Sequence, residues 1–391
     1  MRPLEGLTVV DLSRMLPVGV LSQMLADLGA RVIKIERPGT GEEAREYGGR
    51  LPGGASAGHA FIDRGKESVA VDLKHPHGLE IVRALVGRSD AVLESFRPGV
   101  AERLGVGYEQ LRAVNERLVY CSVNGYGSGG PRDGDPSHDL NYLAYSGALH
   151  FSGSADGGPQ LSGIQSADLI GGLAGAVGLL AALWSVRGGG PGAKVEVGLA
   201  DAALWAMGMH VSSWLADGRS HAPASTAVTG AVPSYGVYRC ADGRYLAVAA
   251  LEPQFWAEFV DAAGRPDLLA RRTDPAAIGE VADLVASRDL AAWVQLLEGR
   301  ETCVTPVQTF AEALVDPQFQ ARGMFVPVPG SPDALQVGSP IRMARPWTPG
   351  RAAHPVVGGD AESILSELEL SADISRSARE WAAMDPNKRE Q

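Results

Sequence analysis

Along the first 125 residues, short apolar runs rich in β-branched side chains alternate with stretches whose apolar positions recur every three to four residues. Residues 7–12, 32–36, 69–73, 91–94 and 118–123 read as strands. Helices are expected between them: one from Pro17, suited to a first turn, to a stop at Gly29, one over 78–86, and one over 108–114. Strands interleaved with helices predict an α/β fold with a doubly wound parallel sheet. In such sheets ligands sit beyond the carboxyl ends of the strands. The segments to watch are therefore Ser13-Arg14, Glu36-Arg37-Pro38, Phe96-Arg97-Pro98-Gly99 and Asn124-Gly125-Tyr126-Gly127.

Further on, the pattern changes. The Gly-rich stretch 187–192 reads as a turn, 194–197 as a strand and 201–214 as a helix. Residues 218–232 are polar and small and read as a linker. A second unit is expected from 233 to 322. It opens with a hairpin, 235–240 and 245–249 around Asp242-Gly243, followed by helices over 254–263 and 289–297 and a short strand over 302–307. From 323 the chain returns to Pro-rich extended segments, and 371–391 reads as a polar surface helix or frayed tail. The domain reading is thus 1–217 large domain, 218–232 linker, 233–322 small α+β domain, and 323–391 back to the large domain. One run, 169–186, carries no charge and just reaches the roughly 18 residues of a membrane span. It is Gly- and Ala-rich, stands alone, and is expected to be a helix buried between layers of a soluble domain.

Composition narrows the function. At 391 residues, two domains are the natural expectation. A net charge of −11 argues against nonspecific nucleic-acid binding, which needs a basic surface, though locally gathered basic residues can still hold an anion. The three cysteines, Cys121, Cys240 and Cys303, are scattered and odd in number, so neither a disulfide framework nor a CxxC metal site is expected. No apolar h-region follows the first residues, and a reducing cytoplasm is the expected setting, with no membrane partner. The phosphate-loop, zinc-protease and nucleophile-elbow motifs are absent.

Two side chains stand out. His138 lies in Pro136-Ser137-His138-Asp139-Leu140-Asn141-Tyr142, after a Gly-rich stretch. Asp168 lies in Ser166-Ala167-Asp168-Leu169-Ile170-Gly171-Gly172, at the mouth of the apolar run. An imidazole and a carboxylate facing one carbon can remove and return a proton on opposite sides, which is what inverting a centre next to a carbonyl requires. The plain alternatives are an N-cap aspartate and a solvated histidine. Gly171 and Gly172 tilt the reading towards function, because they would let a substrate approach the backbone, whose N–H groups could hold an enolate oxygen. Glu252, after the strand 245–250, is either an ordinary strand-end glutamate or the carboxylate that fixes the tautomer of His138. Basic residues fall at or near strand ends: Arg37, Arg64, Lys66, Lys74, Arg97 and Arg103. Arg is the residue of choice for phosphate, and solvated surface charge is the plain alternative.

Taken together, these segments resemble family III (CaiB/BaiF-type) CoA-transferases, and within them the α-methylacyl-CoA racemases. The resemblance runs along nearly the whole chain, through Leu4 to Ser13, Gly29 to Pro38, Arg64 to Lys74 and Glu94 to Val100. It implies coenzyme A binding at Arg37, Val71, Asp72, Leu73, Lys74, Arg97 and Arg103. It also implies a Rossmann-like large domain, a smaller domain, and an interlocked homodimer in which Glu252 of one subunit meets His138 of the other. Two activities stay open. Racemases carry His-Asp-x-Asn-Tyr and Glu-Pro-Gln-Phe, matched here by His138 to Tyr142 and Glu252 to Phe255, which implies 1,1-proton transfer on a 2-methylacyl-CoA by His138 and Asp168. CoA-transferases use the aspartate matching Asp168 as a nucleophile. A member that binds CoA without chemistry is a third reading, and the three candidate side chains argue against it. CoA enters as part of the substrate, with no metal and no further cofactor. Gly230 to Gly236 and Leu161 to Gln165 depart from the racemase pattern, which implies a different acyl pocket.

Overall fold

The structure is a computed structural model that describes residues 2–52, 54–154, 157–219, 222–328, 331–343 and 354–384. Two compact units share the chain. The first comprises Met1–Ser146, Ile164–Ala206 and Gln320–Gln391, and the second Gly147–Gly163 and Met207–Phe319.

Six parallel strands form the sheet of the first unit: β1 (Thr8–Asp11), β2 (Arg31–Glu36), β3 (Glu67–Ala70), β4 (Ala91–Glu94), β5 (Val119–Asn124) and β6 (Ala193–Gly198). Their order is β3-β2-β1-β4-β5-β6, which reverses direction between β1 and β4. The inner strands are apolar on both faces, as a sheet covered on both sides demands. Val10 stands beside Ile33 and Val92, and Leu93 beside Cys121. The helices of this unit used below are α1 (Leu16–Asp27), α2 (Pro76–Val86), α3 (Asp139–Tyr145), α4 (Ser166–Arg187), α5 (Leu199–Ala206), α6 (Ala361–Ser366) and α7 (Ala372–Ala382). Both α3 and α4 belong to the crossover from β5 to β6, so the chain that carries His138 and Asp168 leaves and re-enters one pair of neighbouring strands.

Two expectations need correction, and one alternative is decided. The third strand ends at Ala70, so Val71 to Lys74 form a loop rather than its end. There the Asp72 carboxylate accepts the Lys74 N–H at 2.9 Å, and α2 begins earlier than expected, at Pro76, capped by the His75 ring. The helix expected over 201–214 is two helices, α5 and Gly208–Asp217, separated at Met207. The polar tail is not frayed through residue 384. Ile374, Ala378 and Trp381, at i, i+4 and i+7, bury one face of α7 in the same core as Ile81 and Val82.

The long apolar helix α4 buries one side only. Gly171, Gly172, Gly175 and Leu179 face inward, whereas Val177 and Trp184 are 71% and 78% exposed. Among the described residues it is the one helix long and apolar enough to cross a membrane. Its glycines serve helix packing rather than substrate approach. A Cβ on Gly172 would lie 2.2 Å from the Pro17 carbonyl oxygen of α1, and one on Gly171 would lie 2.3 Å from Leu199 of α5. The first contact is backbone and cannot rotate away. Gly172→Ala is therefore expected to lower stability by about 1–3 kcal/mol through overpacking. Gly208→Ala, with nothing within 4 Å of the added carbon, should be neutral or stabilising. Thermal unfolding of the two variants checks this, and equal melting points would refute the packing role.

The second unit folds around Trp256, Phe259 and Trp293. Both indole N–H groups are satisfied, donating to the carbonyls of Leu268 and Val285 at 3.0 and 2.9 Å. Tyr235–Arg239 and Tyr245–Ala249 form the expected antiparallel hairpin through Gly243 (φ 81°), and Val304–Pro306 adds a third strand. The helix Ile278–Ala286 was not expected from the sequence. Residues 147–163 and 207–217, assigned to the large domain from the sequence, group with this unit. The expected linker lies wholly within it and contains a 3-10 turn, Ala227–Thr229, pinned by the hydroxyls of Thr226 and Thr229 at 2.8 Å.

Candidate active site

The helix starts that carry the histidine and the aspartate are tied to each other. His138 is the N-cap of α3; its N–H donates to Asn141 Oδ1 at 3.0 Å, and its carbonyl accepts the Asn141 N–H at 2.8 Å. Asp139, the next residue, accepts the backbone N–H of Asp168 on Oδ1 at 3.1 Å. One carboxylate thus ties the first turn of α4 to the first turn of α3, and residues 29 positions apart in sequence become neighbours in space. Tyr142 is buried, and its phenol oxygen accepts from Ser137 Oγ at 3.0 Å. Every polar residue in the stretch Ser137 to Tyr142 therefore has a task.

Asp168 is half-buried, and its carboxyl pKa is pushed up to about 7, first by burial and then by the negative charge of Asp139. A carboxyl group near neutrality can both hold and release a proton at physiological pH. Of the helix-start N–H groups expected to hold an enolate, that of Asp168 is committed to Asp139. Around His138, the ring of Tyr126 packs edge-on against Tyr142 and Tyr145, at 5.5 and 5.7 Å between centroids, and the Arg132 guanidinium lies 4.7 Å over Tyr145.

A cleft of about 1050 Å³ opens at the carboxyl ends of β1, β2 and β3. Arg37 and Val71, Asp72, Leu73 and Lys74 line it, as the strand-end argument requires. Its acids are largely neutralised from within. Against the push of burial, the Arg45 guanidinium and Ser68 hold the Glu36 carboxyl low, and Glu42 takes Lys34 Nζ at 2.9 Å. Arg37 and Lys74 make no ion pair among the described residues, so the cleft presents them to an anion. Arg97 lies instead on a smaller pocket of about 160 Å³ with Asn124, Asp133, Asp135 and Tyr142, and Phe96 borders both cavities. Arg103, at the end of the short helix Val100–Arg103, is exposed and lines neither.

Arg64 and Lys66 take structural places. Arg64 pairs with Asp27 at 2.6 Å, and Lys66 with Asp63 and Asp11 at 2.7 and 3.1 Å, all buried. Glu252 is the exposed N-cap of helix Pro253–Ala262 in the second unit. The sequence reading missed Asp139 as the link between the helices, and it missed the buried set that Asp11, Lys34, Glu42 and Asp63 form with Lys66. The signal for the latter was a lone lysine inside Val32-Ile33-Lys34-Ile35, where a buried strand is otherwise apolar.

A parallel sheet with a cleft at its strand ends that presents Arg37 and Lys74, and a near-neutral carboxyl at a helix start, defines an α/β protein with a candidate ligand cleft where such sheets bind ligands. The sequence model of CoA-transferase family III matches residues 4–361, and the chain belongs to that family. It is 33% identical over 383 residues to alpha-methylacyl-CoA racemase of Homo sapiens, covering 95% of this chain and 94% of that protein. It is 32% identical over 357 residues to acetyl-CoA:oxalate CoA-transferase of Acetobacter aceti, covering 88% and 89%. The crystal structure of a CaiB/BaiF family protein from Brucella suis superposes with a TM-score of 0.82 at 28% identity, over 94% of this chain and 100% of that one. The protein is an enzyme of CoA thioester chemistry, and relatives with two different reactions match it almost equally.

Proposed function

We propose that this enzyme inverts the α-carbon of a 2-methylacyl-CoA by 1,1-proton transfer. The observation that carries the reading is the tie from Asp139 to the Asp168 turn, which puts an imidazole and a near-neutral carboxyl on adjoining helix starts. The thioester acidifies the α-proton. His138 removes it from one face, breaking the C–H bond and leaving an enolate, and the carboxylic acid form of Asp168 delivers a proton to the other face. The pair ends as imidazolium and carboxylate, and the opposite epimer runs the same path backwards. Arg37, Lys74 and the Val71 to Leu73 backbone hold the anionic cofactor half of the substrate, with Arg97 nearer the reacting end and Arg103 at the rim. CoA is part of the substrate, and the reading needs no resident metal or other cofactor. The setting is the cytoplasm, away from membranes and nucleic acid.

The direct test is one 2-methylacyl-CoA epimer incubated with the enzyme in D₂O, without an acceptor acid, followed by NMR. Deuterium at the α-carbon together with the other epimer is the expected result. Neither exchange nor epimerisation would sink the reading. Passage of CoA to a free acid would then support the second one, in which the Asp168 carboxylate attacks the thioester carbonyl, expels CoA thiolate and is itself acylated. That alternative is favoured by the transferase relatives.

The proposal includes a homodimer of interlocked chains, in which Glu252 fixes the tautomer of His138 of the partner subunit. Support comes from apolar side chains left open: Val177 and Trp184 on α4 and Trp205 on α5 in the first unit, Met209 and Leu215 in the second. Light scattering at micromolar concentration should give twice the chain mass of 40.9 kDa, and a monomer would end this part of the proposal.

A further inference from the structure

The match to the family's sequence model stops at residue 361, but the cleft does not. Trp381, Ala383 and Met384, from α7 and the residues just after it, form part of its lining together with Leu73 and Lys74. Several contacts fix this wall before any ligand arrives. Trp381 shares its buried face with Ile374 and Ala378. Its ring meets the His75 ring edge-on at 5.5 Å, and His75 directly follows Lys74. His77 Nδ1 lies 2.9 Å from Ser377 Oγ, and Arg379 Nε donates to Glu362 at 2.7 Å, which ties α7 to α6. The cleft is thereby two-toned: Arg37 and Lys74 supply charge, while Leu73, Leu104, Trp381 and Met384 supply an apolar, aromatic and sulfur-bearing surface beside it.

We infer that the wall made by Trp381 and Met384 binds the purine of coenzyme A. This rests on the reading of the cleft as a CoA site. CoA carries one flat aromatic group, and that group sits next to phosphates; the pantetheine arm is a flexible chain of amides. An indole edge and a polarisable thioether suit a purine, and the basic pair beside them suits its phosphates. Aromatic contacts to a base are each worth about a tenfold change in affinity or more. The C-terminal segment of this chain therefore sets the affinity for the nucleotide half of the substrate, while the chemistry stays at α3 and α4.

The test uses the full chain with two substrates carrying the same acyl group, an acyl-CoA and an acyl-pantetheine that lacks the nucleotide. Trp381→Ala removes the indole, and Trp381→Phe should restore much of the loss. Met384→Glu serves as a second probe, because Met384 is half exposed past the end of α7 and its replacement leaves the core intact. For each variant except the Phe rescue, KM for the acyl-CoA should rise on the order of tenfold with kcat kept. Turnover of the acyl-pantetheine should be unchanged. Equal KM values in parent and variants, or equal losses on both substrates, would overturn the inference. If the parent enzyme shows no CoA binding by calorimetry, it is the reading of the cleft that fails rather than the role of α7.

Discussion

Removing the carboxyl group in Asp168→Ala is expected to cut α-deuterium exchange by about 10²–10⁴-fold, and His138→Ala should cut it comparably. The two losses should not multiply in the double variant, because each residue supplies one half of the same transfer. The measurement is the exchange rate in D₂O at saturating acyl-CoA. A His138→Ala enzyme that still passes CoA from an acyl-CoA to a free acid while Asp168→Ala does not would point to nucleophilic CoA transfer instead, since that chemistry has no use for an imidazole at this place.

The pH profile sharpens the same distinction. Both productive forms of the pair, neutral imidazole with carboxylic acid and imidazolium with carboxylate, carry one shared proton. Losing it or adding a second is inhibitory, so kcat/KM should follow a bell with a limb near the Asp168 value of about 7, and the bell should be the same for either epimer. A nucleophilic Asp168 would give a rate that rises through pH 7 and stays high. The raised value also bears on stability. The folded state favours the protonated carboxyl, so this contribution is complete below the ordinary carboxylate value near 4 and is lost as pH rises through 7. Asp168→Asn is therefore expected to melt higher than the parent at pH 8, with a smaller difference at pH 4.

Much of this was legible in the chain itself. Apolar runs alternating with helical spacing gave the parallel sheet, because strands buried on both faces have no polar alternation to confuse with loops. His138 and Asp168 were visible from their local settings, and strand ends pointed to Arg37 and Lys74. What the sequence hid was pairwise. That Asp139 bonds the Asp168 N–H depends on how two helix starts pack, which no local pattern encodes. Gly171 and Gly172 looked like room for a substrate and are room for α5 and α1. Trp381 lay in a segment dominated by charge, where three apolar positions at helical spacing were outvoted by their neighbours.

The buried charges beneath the cleft give the largest expected effect on folding. Asp11 is fully buried, and its carboxylate serves Lys66 Nζ at 3.1 Å, Lys34 Nζ at 3.5 Å, and the hydroxyls of Ser13 and Ser22. Burial alone would raise its pKa; the two ammonium groups, then the two hydroxyls, hold it well below the usual carboxylate range. Asp11→Ala leaves two buried lysines with Glu42 and Asp63 as their remaining carboxylates, at 2.9 and 2.7 Å. Uncompensated buried charge costs about 3–5 kcal/mol, so urea denaturation at pH 7 should show a loss of that order. Because the folded-state value is depressed, the stability Asp11 provides is present above its ordinary pKa and fades as pH falls. The gap between parent and variant should therefore shrink in acid, and a gap that grows there would refute the ion-pair account. The same network shapes the cleft. Lys34 Nζ donates to the Ser13 carbonyl at 2.6 Å, and Glu42 accepts the N–H of Met15, a non-glycine residue held at φ 58°. Such a conformation costs about 1–3 kcal/mol and persists only where its surroundings enforce it. Ser13 and Arg14 line the cleft, so a folded fraction of Asp11→Ala should also bind CoA more weakly than Gly172→Ala does at matched stability.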